Sequence, residues 1–259
     1  MTDKGKESAM GFMDLLGHVP ESASSNVTCL SFNRWGGKSL PPFHELNVSV
    51  DTGDRIENVL ENLELIRRSA RLGSVVSVRQ VHGNRFYHVQ TPKDFPGHIV
   101  NCQDEADGIF SRFRGVGILI KTADCQAVVM FDPKNAVVAN IHCGWRGNVN
   151  GILPSAVREM EVRYGSNPRD LWVGISPSLG PCCAEFKGWK RLLPKWMHEY
   201  QVRPDYFDFW AISRSQLTGA GVPDKQIFCA QICTTCNGDY FSYRREGTTG
   251  RLGTVIALV

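Results

Sequence analysis

This chain has no long apolar run, no strong charge excess, no low-complexity segment and no tract that could divide it. No stretch approaches the ~20 residues of a membrane-spanning helix, so no membrane partner is expected. The net charge is only +3. Its densest basic groups, Arg67-Arg68 with Arg71 and Arg244-Arg245, form no stripe, which argues against nucleic acid as a partner. Met1 to Ser25 lacks the uninterrupted apolar core of a signal peptide, since Met10–Leu16 is short and broken by Asp14, and the expected location is cytoplasmic. There is no internal repeat and no linker rich in Pro, Gly or Ser. One catalytic domain over residues 26–259 is therefore expected, behind a flexible N-terminal segment, 1–25.

What is present is ordinary in bulk. Among 259 residues, 42% are hydrophobic and 21% charged, enough for a sizeable core. Nine cysteines, an odd number without an export signal, read as free thiols and ligands rather than a disulfide framework.

Val27–Phe32 reads as a strand, followed by a Gly36-Gly37 turn. Asp51 or Thr52 is expected to cap an amphipathic helix carrying Ile56, Val59, Leu60, Leu63 and Ile66 and ending at Gly73. The period then shortens. Val75–Gln80, Phe86–Val89, Gly117–Lys121, Ala127–Phe131 and Ala136–Ile141 are β-branched or aromatic-rich strand segments, the last two joined by a turn at Asp132-Pro133-Lys134-Asn135. A helix with the stripe Ile152, Leu153, Ala156, Val157 and Met160 follows. Leu171–Ile175, Ile227–Gln231 and Thr254–Leu258 read as strands, and Trp189–Tyr200 and Ala211–Ala220 as helices. Tight turns between several strands favour mixed sheets over a doubly wound parallel sheet.

Chemistry concentrates in Gln80-Val81-His82-Gly83 and in the run from Lys121 to Gly147. His82, Cys125 and His142 each fall where an expected strand ends or a turn begins, so their side chains can converge on one pocket. Two imidazoles and a thiolate suit Zn²⁺ with one position left open. Taken singly, each has a plainer reading, as a hydrogen-bonding histidine or a small buried thiol. Asp124 adds a carboxylate able to orient a histidine or accept a proton. Gly144-Trp145-Arg146-Gly147 combines close backbone approach with a guanidinium fork for phosphate or carboxylate, or is a tight turn with Trp145 in the core. Cys229, Cys233 and Cys236 match the C-x₃-C-x₂-C spacing of an iron–sulfur cluster that cleaves S-adenosylmethionine. Only 23 residues follow Cys236, which argues against it. Cys182-Cys183 after Gly180-Pro181 reads as a buried turn.

With these pieces assembled, the chain resembles the laccase-domain or "polyphenol oxidase" family of YfiH type, whose members are described as purine nucleoside phosphorylases. The matching residues are Gln80-Val81-His82-Gly83, Ala106-Asp107-Gly108, Thr122-Ala123-Asp124-Cys125 and His142 with Gly144-Trp145-Arg146-Gly147. Cys233-Thr234, Ser242-Tyr243-Arg244-Arg245 and Thr249-Gly250-Arg251 also match, and Phe32 to Val48 resembles the family's opening. The match runs in order from about Leu30 to Val259. Two positions depart, both on a loop expected to border the pocket: the family usually has Gly-Pro at Ser176-Pro177 and Tyr at Ala184.

The resemblance implies an α+β fold, a single domain of two packed mixed β-sheets flanked by helices. It implies a metal, usually zinc, on His82, Cys125 and His142. The implied substrates are purine nucleosides and phosphate, with phosphorolysis of inosine, guanosine, adenosine and methylthioadenosine, and deamination of adenosine. Some bacterial relatives are linked to keeping wrong residues out of peptidoglycan precursors.

A laccase needs about ten histidines for its copper centres, whereas this chain has seven, so a true multicopper oxidase cannot be assembled. Copper is expected only as an adventitious occupant of the three-ligand site. For catalysis the candidates are Cys125, Asp124 and His142, with Asp124 as proton carrier. For phosphate or substrate they are Arg146, Arg79, Gln80 and Arg244. Two rivals stay open at this level: a metal-free Cys–His hydrolase or deamidase with Cys125 as nucleophile, and a metabolite-binding protein acting in peptidoglycan precursor editing.

Overall fold

The computed structural model describes residues 10–91 and 98–259. Two six-stranded mixed sheets pack face to face. The first runs β1 (Phe12–Asp14), β2 (Val27–Phe32), β14 (Leu252–Leu258), β7 (Val116–Thr122), β3 (Ser74–Arg79) and β5 (Ile99–Glu105). The second runs β13 (Ile227–Cys229), β10 (Trp172–Ile175), β8 (Gln126–Asp132), β9 (Val137–Cys143), β6 (Gly108–Ser111) and β4 (Phe86–His88). A two-stranded ribbon, β11 (Gln201–Arg203) and β12 (Tyr206–Phe207), stands apart from both. Pairing is antiparallel through β2, β14 and β7 and through β10, β8, β9 and β6. It is parallel where β3 meets β5 and β7, where β10 meets β13, and where β4 meets β6.

The strand period of two divides the core into layers. Ile118 and Ile120 of β7, with Val129 and Phe131 of β8, point into the space between the sheets. Leu119 of β7 points outward under α2 (Ile56–Ser69), beside Val59, Leu63 and Ile66. Val128 and Met130 of β8 point the other way, under α4 (Ile152–Tyr164) and α6 (Phe209–Gly219). Every residue of β7, β8, β9 and β14 is buried, which is why these strands read as apolar runs without alternation. Short helices α1 (Glu21–Ser24), α3 (Trp145–Val149), α5 (Trp189–Leu192) and α7 (Tyr243–Glu246) fill the connections.

Several expectations hold residue by residue. β2 has the expected bounds, the five-residue stripe of α4 is buried, and the Asp132 carboxylate accepts from the backbone N–H groups of Lys134 and Asn135 in the β8–β9 turn. Others shift. α2 begins after Arg55, because Asp51 and Thr52 are spent in a separate 3₁₀ turn, and Ile56 and Leu60 face outward. The single helix expected over Trp189–Tyr200 is broken after Leu192, where Pro194 holds Leu193 extended. β5 and β6 were not anticipated. Residues 1–9 lie outside the described set, while Leu15 and Leu16 are buried in the layer between the sheets.

Candidate active site

The site forms where the chain passes from one sheet to the other. β7 ends at Thr122 in the first sheet and β8 starts at Gln126 in the second, so Ala123-Asp124-Cys125 is the whole crossing. β3 ends beside β7 and delivers His82 just beyond Arg79. β9, antiparallel to β8, brings His142 opposite Ala127. Such a short crossing needs an unusual backbone, and Asp124 has φ of 87° and His82 of 59°, both in the left-handed region. Gly144 is required by packing, since a Cβ there would lie 2.8 Å from the Cys125 Sγ and 3.5 Å from the His82 ring.

His82, Cys125 and His142 converge, one ligand atom from each lying within 4.8 Å of the others. The two imidazoles meet edge to face, with ring centroids 4.8 Å apart. His142 is oriented from behind, its Nδ1 donating to the Asp107 Oδ1 at 2.8 Å, which leaves Nε2 facing Cys125 and His82. Asp107 is fully buried and also accepts from the backbone N–H groups of Val81, His82 and Gly83. One carboxylate therefore sets both histidines. Two imidazoles and a thiolate, with a second-layer carboxylate on one of them, are a donor set that fits Zn²⁺.

Electrostatics agree with the geometry. Burial pushes the Cys125 thiol up, but His142 and His82 together outweigh it and bring it down to about 6. Burial lowers His142, yet the Cys125 thiolate and Asp107 lift it to about 9. Asp107 is raised by burial and held below its usual range by His142 and the loop N–H groups. Without a metal the trio is thus a thiolate–imidazolium pair backed by a carboxylate. Next door, Cys143 is driven far up by burial and by Cys125, and stays a neutral thiol.

These groups open into a cavity of about 640 Å³, in the range of small-molecule sites. Trp145, Phe186, Phe209 and Tyr243 supply aromatic wall, and Lys121, Arg146, Arg244 and Arg251 line it as well. Arg146 is exposed, lies over the Trp145 ring at 4.6 Å, and has no carboxylate partner among the described residues. The Lys121 ammonium is almost fully buried and its pKa is lowered, by burial first.

The remaining sequence candidates have other duties. Arg79 does not line the cavity; it points to Glu105 at 3.3 Å on the protein surface. Gln80 lines it, but both ends of its amide are engaged by the Lys121 backbone, at 2.8 and 2.9 Å. That clamp ties the end of β3 to the end of β7. Asp124 accepts from the Thr234 hydroxyl at 2.7 Å and from the Arg244 backbone N–H at 2.6 Å, so both its oxygens anchor loops rather than wait for a substrate proton. Arg244 faces the cavity while donating to the Glu185 carbonyl. The two departures at Ser176 and Ala184 do not border the cavity; both are buried, and the same loop reaches it through Leu179 and Phe186.

Asp107, Lys121 and Arg251 lie at the site without having been assigned a part. Asp107 carried a usable signal, because Ala106-Asp107-Gly108 is one of the segments that carry the resemblance. Arg251 carried one too, in the matching Thr249-Gly250-Arg251 of a donor-rich segment, whereas Lys121 carried little, since a basic residue at a strand end is usually solvated.

The other histidines are occupied elsewhere. His18, His88, His98 and His198 bond to Gln226, Tyr164, Gly73 and Leu193, and His44 sits in the 40–45 loop. Among the described residues only one other group of metal-ligating side chains forms, and it contains cysteines alone. No three-copper arrangement of histidines exists there. Among the described residues no helix is long and apolar enough to cross a membrane.

The fold and this site have known counterparts. A family model described as multi-copper polyphenol oxidoreductase laccase matches residues 28–259. A protein of Escherichia coli K12 named purine nucleoside phosphorylase YfiH is 31% identical over 242 residues, 90% of this chain and 94% of its own. Another from Streptomyces coelicolor, named purine nucleoside phosphorylase SCO2081, is 34% identical over 85% of this chain and 90% of its own. The crystal structure of YlmD from Geobacillus stearothermophilus superposes with a TM-score of 0.81 at 27% identity, over 95% of this chain and 99% of that one. The chain belongs to the laccase-like family of YfiH type.

Proposed function

We propose that this protein is a zinc-containing purine nucleoside phosphorylase acting on inosine, guanosine, adenosine and methylthioadenosine, with adenosine deamination as a second activity of the same pocket. The observation that carries this reading is the His82, Cys125 and His142 donor set opening into a cavity with aromatic walls and the unpaired guanidinium of Arg146. The names of the relatives support the substrate class.

In phosphorolysis the bond from ribose C1′ to the purine nitrogen breaks, a phosphate oxygen bonds to C1′, and the purine leaves with a proton. Trp145, Phe186, Phe209 and Tyr243 offer faces against which a purine can lie. Arg146, with Lys121 and Arg251, concentrates positive charge for phosphate; Arg146 is free to present its fork, and Lys121 is desolvated, which strengthens its attraction for an anion. Arg244 closes the same wall. Gln80 and Asp124 act as positioning residues, one clamping β3 to β7 and the other anchoring the loops at 234–235 and 243–246. His82, Cys125 and His142 would hold zinc, which when bound supplies Lewis-acid polarisation. Oxidase activity, where seen, follows copper loading of these same ligands and not a laccase mechanism.

One observation favours a second reading. Cys125, His142 and Asp107 form the relay of a thiol hydrolase, with thiolate, base and orienting carboxylate in series. His82 separates the two, because a relay needs no third soft ligand. The test measures hypoxanthine release from inosine with phosphate by His82→Ala and Cys125→Ala, alongside metal content. The phosphorylase reading expects both variants to lose zinc and at least about 100-fold in activity. A His82→Ala protein that keeps full turnover would overturn it in favour of the relay.

A further inference from the structure

The second group of metal-ligating side chains is Cys182, Cys183, Cys233 and Cys236, whose sulfurs all lie within 4.8 Å of one another. It differs from the sequence pattern, which joined Cys229 to Cys233 and Cys236 and placed Cys182-Cys183 in a buried turn. Cys229 ends β13 outside the group, whereas Cys182 and Cys236 are exposed and face each other. The Cys236 Sγ lies 3.5 Å from that of Cys182 and 3.4 Å from that of Cys183. A disulfide would bring two sulfurs to about 2.05 Å. Four thiolates about 2.3 Å from one tetrahedral ion stand roughly 3.8 Å apart, close to the spacing here.

The backbone around the sulfurs is equally specific. Cys233-Thr234-Thr235-Cys236 has the C-x₂-C spacing of zinc knuckles, and the Gly180 backbone N–H donates to the Cys233 sulfur at 3.4 Å. That approach requires glycine, since a Cβ on Gly180 would lie 2.9 Å from the Cys233 Cβ. Two arginines brace the loops that carry the group. Arg203 donates to the Cys182 carbonyl, and Arg245 donates to the carbonyls of Thr234, Thr235 and Asn237. Four crowded sulfurs repel as thiolates unless a cation lies among them.

We infer that Cys182, Cys183, Cys233 and Cys236 bind a single structural Zn²⁺ that staples the 176–186 loop to the 230–240 loop. The site is closed, with four protein ligands and no position for substrate, so its role is mechanical. Both loops end on Asp124: Leu179 donates its N–H to the Asp124 carbonyl at 2.8 Å, and Thr234 donates to its carboxylate. The staple therefore fixes one wall of the cavity next to Cys125 without touching substrate. The inference stands independently of the proposed nucleoside chemistry.

Metal content of the purified full chain tests it, with Cys233→Ser/Cys236→Ser beside His82→Ala. Two zinc ions per chain are expected in the parent and one in each variant, with Co²⁺ replacing the ion in His82→Ala to give the intense sulfur-to-metal absorption of a four-thiolate site. The thermal midpoint should fall in Cys233→Ser/Cys236→Ser. Should that variant not fold, native alkylation of the parent decides: Cys182 and Cys236 should resist until a chelator extracts zinc. Metal content unchanged by the double substitution would overturn the inference. So would a disulfide between Cys236 and Cys182 or Cys183 in freshly purified protein, or immediate alkylation of both exposed thiols without zinc release.

Discussion

Asp107 is the residue on which the site's geometry depends most, although it touches neither cavity nor substrate. Its carboxylate fixes the tautomer of His142 and the three N–H groups of the His82 loop together. Asp107→Asn keeps the shape but loses the negative charge, and should lower metal affinity roughly 10- to 100-fold, read by competition with a chromophoric chelator. Unchanged affinity would show that the loop backbone alone positions His82 and His142. A different carboxylate reports on stability. Glu246 accepts from Arg34 at 2.6 Å, from Arg245 and from the Thr249 hydroxyl. Burial pushes it up, but these donors prevail and hold it at about 2, against an ordinary 4.5. A depressed folded-state pKa stabilises above the unfolded value, so the contribution is complete above about pH 4.5 and fades as pH falls toward 2. Glu246→Gln should cost about 2 kcal/mol at pH 7, with the gap to the parent closing near pH 2 to 3 in urea titrations. A gap that does not narrow in acid would mean that the cost is packing and not charge.

Elements were legible wherever one period dominated. α4 and the β8–β9 hairpin could be read because a 3.6-residue stripe and a turn sequence each fix one local solution. β5 was hidden because its residues from Asn101 to Glu105 are polar or half-exposed on an edge strand, so parallel pairing with β3 and not a buried face makes it a strand. The break at Pro194 was legible, because a proline inside a helical segment ends it near the preceding residue. α2 carries the outer layer of the first sheet through Val59, Leu63 and Ile66. Leu63→Ala should destabilise the protein by about 2–4 kcal/mol in chemical denaturation while leaving metal content unchanged, because the helix packs on the face away from the site. Loss of bound metal in a folded Leu63→Ala protein would contradict that separation.

For the whole molecule, function follows from topology. A two-sheet sandwich has one place where the chain leaves β7 for β8, and Cys125 sits on that step, with His82 and His142 delivered by the neighbouring strand ends. The three candidate ligands, and that they could converge, were visible in sequence because each bordered a strand, whereas the closeness of their approach was not, since it depends on how the sheets stack. Arg79 misled for the same reason: a strand end can point to either side of the rim, and this one pairs with Glu105. The cationic lining comes instead from Arg146 and Arg244, both named from the sequence, together with Lys121 and Arg251.

The central claim is nucleoside phosphorolysis in this cavity, and the most direct measurement is product analysis of inosine incubated with the zinc-loaded protein, with and without phosphate. The account predicts hypoxanthine and ribose 1-phosphate in equal amounts, formed only when phosphate is present and absent in Cys125→Ala. Hypoxanthine released equally well without phosphate, or no release from a fully zinc-loaded protein, would contradict it.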